Sequence, residues 1–435
     1  MAGMSDHHRP TAPGGVGIPD SSVPEEPAHH HVSRRPLLLA TLLSAGPLAG
    51  CSLTPASSRA GSASPSTRPT TPSPSTAAAA SATPSTATPT ATGALKGWSL
   101  EEKVGQLLMV GVDATSPGQA STEAVTNLRV GNIFIAGRST AGSQTARNVI
   151  STFTAMVGPD TTHDTPMLVA TDQEGGEVQV LSGSGMSDLP SAMDQSARPR
   201  EELLASARTW GKELADVGVN MNLAPVVDLV DIAQPAINEP IGRWNREYGH
   251  DAATISSQAG TFAEGMRACG VIPTYKHFPG LGRVAANTDT SADVVDRTTA
   301  RSGDAAVGVF ADAIATGAQA IMVSSATYAL IDPATPAVFS SVIVTDMLRT
   351  ELGFSGVVIT DDVSAAAQVR GVAAGERAVR AIRAGCDIVL ASADPAAATD
   401  MVEALIAAAQ SDTALAARVE ESAARVLALK NSRQS

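Results

Sequence analysis

Aromatic residues are scarce in this 435-residue sequence: Phe, Trp and Tyr make up 3% of it, against 43% hydrophobic residues in all. A core of the size this length allows must therefore be built from Ala, Val, Leu and Ile. Cysteine is rarer still, with three residues, too few for a disulfide framework and without metal-ligand spacing. Histidine is short where chemistry needs it. The His-His and His-His-His runs lie near the N-terminus, which leaves His163, His250 and His277 for the rest of the chain. No basic run offsets the net charge of −13, and an acidic chain of this kind is not built for nucleic acid.

What is present begins with a targeting segment. In "SRRPLLLATLLSAGPLAGC", Arg34-Arg35 precede an apolar stretch too short to span a bilayer as a permanent helix. The stretch closes on Leu48-Ala49-Gly50-Cys51, which resembles a bacterial lipobox, and the arginine pair resembles a twin-arginine export signal. Residues 1–50 are therefore expected to direct export and Cys51 to carry a lipid. Residues 51–95, almost wholly Ser, Thr, Pro, Ala and Gly, cannot bury a core and are expected to tether the 96–435 domain to a membrane. Cys269 and Cys386, each opening a predicted strand, are expected to be buried free thiols.

From about Leu100 short apolar runs alternate with helix-like segments such as "REELLASARTWGKELADVG" and "ERAVRAIRAG". The runs are 106–112, 131–136, 167–171, 219–227, 271–276, 320–325, 356–360 and 386–391. Eight strand–helix repeats in one domain predict an α/β fold, a (β/α)8 TIM-type barrel. A doubly wound open sheet is the rival, but no Gly-x-Gly-x-x-Gly follows the first strand. Asp172, Glu174, Asp228, Lys276, His277, Asp361 and Asp362 all follow C-terminal strand ends, where a barrel places its site.

Three stretches carry the candidate chemistry. "GVVITDD" delivers Asp361 and Asp362 to the barrel mouth, one to face the centre and one to cap or brace; a metal would need a third ligand that the spacing does not supply. "ATDQEGGEV" places Asp172 and Glu174 before a Gly-Gly turn, and a carboxylate there suits the paired hydroxyl donors of a sugar ring. "YKHFPG" places Lys276 and His277 as the first residues out of the fifth strand, able to donate to hydroxyl or carbonyl oxygens.

Together with "WSLEEKVGQLLMVG", "NLAPVVD", "FSSVIVTDMLRTELGFSGVVITDD" and "AIRAGCDIVL", the motifs "DQEGG" and "KHFPGLG" make the chain resemble glycoside hydrolase family 3, in its single-domain β-N-acetylglucosaminidase branch. The resemblance runs from about Leu100 to the C-terminal helices. It implies a retaining mechanism with Asp361 as nucleophile and no cofactor or metal. It further implies that Asp172, Lys276 and His277 hold the sugar, with Arg246 matching the arginine of the family's Ile-Gly-x-Arg-Ser-Phe-Gly segment. Here that segment reads "IGRWNREYG", two residues longer.

The chain departs from the branch at the proton carrier. The branch has Asp-Ser-His on a loop after the Lys-His motif, with the His as general acid/base. Seven residues on from Gly282 this chain has Asn287-Thr288-Asp289, so Asp289 stands where the His would be. A carboxyl group serves as acid/base in most retaining glycosidases, and Asp289 is expected to do so here, with Asp293 as the alternative. The resemblance implies an exo-β-N-acetylglucosaminidase acting on peptidoglycan fragments, as a monomer anchored outside the cell membrane. The alternatives are another family 3 activity, such as β-glucosidase or β-xylosidase, or a non-catalytic muropeptide-binding lipoprotein. The second domain carried by many of the former is expected to be absent.

Overall fold

The computed structural model describes residue 93 and residues 95–432. The export signal, the lipidation at Cys51 and all but the end of the tether fall outside the described residues. Leu95 and Trp98 are buried in the core, so the last residue of the expected tether packs with the domain.

Eight parallel strands close into a barrel: β1 (Leu108–Asp113), β2 (Asn132–Ala136), β3 (Leu168–Thr171), β4 (Met221–Asn222), β5 (Ile272–Phe278), β6 (Ala320–Val323), β7 (Val357–Asp362) and β8 (Ile388–Ala391). Closure is made where β1 pairs with β8, Leu108 opposite Val389. The strands are buried on both faces, which is why they read as unbroken apolar runs. Alternate side chains divide the two cores. Met109, Leu168, Met221, Met322 and Ile359 fill the barrel interior, and Val426 and Leu429 of the last helix, Thr413–Asn431, join them. Leu108, Val110 and Val358 face the surrounding helices.

The helices form where the sequence signals are strong. Leu100–Gln106 starts at a reciprocal cap: Ser99 Oγ accepts from the Glu102 amide at 3.2 Å and the Glu102 carboxylate accepts from the Ser99 amide at 2.7 Å. Ser99→Ala would forfeit about 1 kcal/mol of that cap. Arg200–Val217 buries Leu203, Ala207, Trp210 and Leu214 on one face and stops at Gly218, whose φ of 97° favours glycine.

Four expectations need adjusting. Only Met221 and Asn222 of the fourth run enter the ladder as a strand; beyond them Pro225 has no amide to donate, and one isolated bridge, Val226 to Lys276, continues the pairing. Gln106 ends a helix rather than opening β1. Lys276 and His277 lie inside β5 rather than after it. Cys269 and Cys386 are both free. Cys386 is buried, and burial together with Asp387 pushes its thiol up to about 12. Cys269 is half-buried and caps the helix Ala252–Ala268 rather than opening β5.

Candidate active site

At the C-terminal end of the barrel the strands surround a cavity of about 520 Å³. Its floor is apolar: Phe134, Leu223, Met322 and Leu390. Its walls carry Asp172, Arg246, Lys276, His277, Asp289 and Asp361, the six protein residues expected to bind substrate or react with it.

One wall is an ion-pair network centred on Glu174. Lys276 Nζ donates to Asp172 Oδ1 and lies against Glu174 Oε1, both at 2.6 Å. Arg246 grips both oxygens of Glu174 through Nε and Nη2 at 2.8 Å, and its Nη1 donates to the Pro240 carbonyl at 2.7 Å. Burial alone would raise the Glu174 carboxyl, but Arg246 and Lys276 override it and hold it at about 2. Burial likewise opposes the charge on Lys276, while Asp172 and Glu174 more than restore it and raise the ammonium above its ordinary value. The two cations are thus fixed as cations, and Asp172 is presented to the cavity with one oxygen engaged. The turn behind them requires glycine. Gly175 has φ of 107°, and a Cβ there would lie 2.1 Å from the Pro190 carbonyl oxygen.

A second wall holds His277. Asp228, fully buried, accepts from the His277 amide at 3.0 Å and the Leu281 amide at 2.7 Å through Oδ1, and meets His277 Nδ1 through Oδ2 at 2.7 Å. A carboxylate so placed accepts a hydrogen bond from Nδ1–H and sets the ring's orientation. The histidine is therefore held from below by a side chain and a strand.

The third wall carries the carboxyl groups of Asp361 and Asp289. Asp361 is the penultimate residue of β7, with Oδ1 accepting from the Asp362 amide at 2.9 Å. Asp362 turns away and ties two loops together, accepting from Ser364 N and Oγ, Ser392 N and Ala393 N. Burial raises the Asp361 carboxyl, with His277 acting against that rise. Asp289 stands on the long β5–β6 connection. Its residue surface is exposed at the rim, but the cavity walls displace much of the water around its carboxyl. That desolvation, with the facing charges of Asp361 and Asp362, pushes it up to about 6. Its backbone is docked: Asp289 O accepts from the Ala367 amide at 3.1 Å, and Thr288 O accepts from the Gln368 amide at 3.0 Å. Asn287 Oδ1 accepts from the Asp289 amide at 2.9 Å, closing a local turn. Asp293 is exposed, with φ of 58°, and does not line the cavity.

The structure adds partners to which the sequence assigned no role. Glu174 joins the two cations, Asp228 holds His277, and Trp244 stands at the mouth. Glu174 and Asp228 were legible as polar residues at strand ends, but their partners lie 49 to 102 positions away. Among the described residues no group of three or more His, Cys, Asp or Glu side chains is arranged to hold a metal ion.

Residues 99–429 match the glycosyl hydrolase family 3 N-terminal domain. The β-N-acetylhexosaminidase structure from Beutenbergia cavernae superposes with a TM-score of 0.76 at 54% identity, covering 77% of this chain and 98% of that one. A family 3 β-N-acetylglucosaminidase from a Paenibacillus species superposes with a TM-score of 0.70 at 30% identity, over 77% of this chain and 63% of that one. The β-hexosaminidase LpqI of Mycobacterium tuberculosis is 31% identical over 306 residues, 67% of this chain and 73% of its own. The motifs, the barrel and these relatives agree, and the chain belongs to glycosyl hydrolase family 3.

Proposed function

We propose that the protein is a retaining exo-β-N-acetylglucosaminidase that removes non-reducing GlcNAc from peptidoglycan fragments. One observation carries the mechanism: Asp289, a carboxyl group pushed up to about 6, faces Asp361 across a cavity closed at its floor. The relatives named as β-hexosaminidases carry the sugar.

In the first step the Asp361 carboxylate attacks the anomeric carbon while protonated Asp289 gives its proton to the glycosidic oxygen. The C–O bond breaks, the aglycone leaves as an alcohol, and a glycosyl ester remains on Asp361. Esterification removes the negative charge that helped to raise Asp289, so its carboxyl becomes more acidic. Asp289 then takes a proton from water, the water attacks the anomeric carbon, and Asp361 is released as a carboxylate. Asp172, Lys276, His277 and Arg246 fix the sugar by hydroxyl hydrogen bonds throughout. Export through the Arg34-Arg35 segment and a lipid on Cys51 would hold the monomer at the outer face of the membrane.

Comparing turnover of aryl β-N-acetylglucosaminide and aryl β-glucoside tests the activity. Faster cleavage of the glucoside makes the enzyme another family 3 glycosidase, and no cleavage of either leaves a binding protein. A fluorinated glycosyl inhibitor should label a peptide containing Asp361. Cys51→Ala should release the protein from the membrane or leave an unprocessed precursor.

A further inference from the structure

We propose that Trp244 is a stacking platform for the leaving-group sugar, so that this enzyme selects aglycones that present a pyranose ring. The inference rests on the exo-glycosidase reading above and deepens it by assigning a residue to the leaving-group side of the substrate.

The sequence "IGRWNREYG" is two residues longer than the segment it resembles. The structure shows where the extra length goes. Gly242–Trp244 forms one tight turn, Asn245 follows with φ of 54°, and Arg246 returns inward to grip Glu174 at 2.8 Å. Arg243, Trp244 and Asn245 are exposed, and Trp244 and Arg246 both line the cavity. Close approach holds the turn down: a Cβ on Gly242 would lie 2.4 Å from the Pro235 carbonyl oxygen.

Trp244 is 42% exposed, one of three large exposed hydrophobic residues among those described, with Ile237 and Leu330. Of the three, it alone lines the cavity. It is also held in place. The Arg243 guanidinium lies 5.2 Å from its ring centroid. Asn238, fully buried, accepts from the Ile241 and Gly242 amides at 3.1 and 2.8 Å. The Asn238 amide group donates to Leu281 O at 2.9 Å and Val284 O at 2.7 Å. One asparagine therefore joins the turn that bears Trp244 to the segment that leads to Asp289.

The position decides which sugar meets the indole. The ring being cleaved sits at depth, ringed by strand ends and stopped by the apolar floor, so the remainder of the glycan leaves through the mouth. A pyranose in its ordinary chair offers a patch of C–H groups, which packs against the electron-rich face of an aromatic ring. A short alkyl or a flexible peptide aglycone offers no such patch. The geometry thus points to an aminosugar or other chair-form pyranose as the leaving group.

Two arms test this in the full chain. In the first, kcat/KM is measured on di-N-acetylchitobiose, which has a leaving-group ring, and on methyl β-N-acetylglucosaminide, which has none. Trp244→Ala should lose about tenfold on the disaccharide, the order of a lost aromatic contact, and much less on the methyl glycoside. Trp244→Phe should recover most of the loss. Equal losses on both substrates, or none on the disaccharide, overturn the platform. In the second arm, binding of both sugars to Asp361→Asn is measured by titration calorimetry. The disaccharide should bind more tightly, and adding Trp244→Ala should abolish the difference. If the two sugars bind alike with Trp244 in place, the platform fails. If the wild type cleaves neither sugar, the enzymatic reading fails and the binding arm alone decides the platform.

Discussion

Asp387 lies just before β8, beneath the barrel, and Asp361 lies at the end of β7, at its mouth. Asp387 is fully buried and Asp361 half-buried at the cavity wall, and the protein treats them in opposite ways. Asp387 is surrounded by cations: Arg349 at 2.5 Å, Arg418 at 2.7 Å and Arg425 at 3.3 Å, with the Val358 amide and Ser422 hydroxyl completing its shell. Burial raises its carboxyl, but the three arginines prevail and hold it below the ordinary range. Asp361 has one backbone donor, and its carboxyl is raised, as is that of Asp289 facing it. The lower cluster spends charge on fastening the last helix to the barrel. The upper pair keeps its protons in play. Burial alone therefore does not mark a reactive carboxylate; burial with too little compensation does.

Removing the upper pair should give the largest effects. Asp361→Ala should lower kcat by at least the roughly 10²–10⁴-fold that a positioned proton donor is worth, with the circular dichroism spectrum unchanged. Asp289→Ala should cost about 10²–10⁴-fold on glycosides with poor leaving groups and far less on activated aryl glycosides, which need little protonation. Azide, needing no base, should partly restore the second step in that variant. The pH profile follows from the sign of the shift. In the proposed mechanism Asp289 acts first as an acid, so kcat/KM should fall as pH rises through about 6, while protonation of Asp361 sets the lower limb. The pair titrates as a unit, and Asp289→Ala should remove the upper limb for aryl substrates. An ionised Asp289 should also repel anionic acceptors, so added phosphate should give no glycosyl phosphate.

Breaking the lower cluster should act on stability instead. Asp387→Asn leaves three arginines without their shared anion and should cost about 3–5 kcal/mol, read as a lower urea midpoint with an unchanged slope. The smallest effect should come from Lys430. It is buried, donates to Gln106 Oε1 at 2.6 Å and Gly131 O at 3.0 Å, and burial pushes its ammonium down to about 7. The folded state then holds fewer protons than the unfolded chain between about pH 7 and the ordinary lysine value of 10.5. Stability should rise across that window and be flat below it. Lys430→Met should remove the rise, and denaturation midpoints at pH 7 and 9.5 will show whether it does.

The barrel was legible because each strand is an apolar run ended by polar residues, and all eight appear where the pattern places them. The strand ends were less so, since Pro225 and the continuation of β7 to Asp362 depend on which neighbour supplies a hydrogen bond. The candidate residues of the cavity were legible as residue types, through motifs that keep chemistry close in sequence. Their partners were not. Asp228 meets His277 across 49 positions, and Asp387 meets its arginines across 31 to 38. Trp244 was visible only as an interruption of a motif. What the insertion does depends on where its two ends are tied.

The docking of the Asp289 loop on Ala367 and Gln368 has a consequence for motion. Gln368 also accepts from the Val294 amide through Oε1 at 2.7 Å, so residues 288 to 294 and the segment after Asp361 share one set of fastenings. Such a patch opens as a unit in local unfolding. The amide protons of Ala367 and Gln368 are then natural gauges of catalytic assembly. Their hydrogen exchange should slow when a sugar spans Asp289 and Asp361, and Gln368→Ala should speed it.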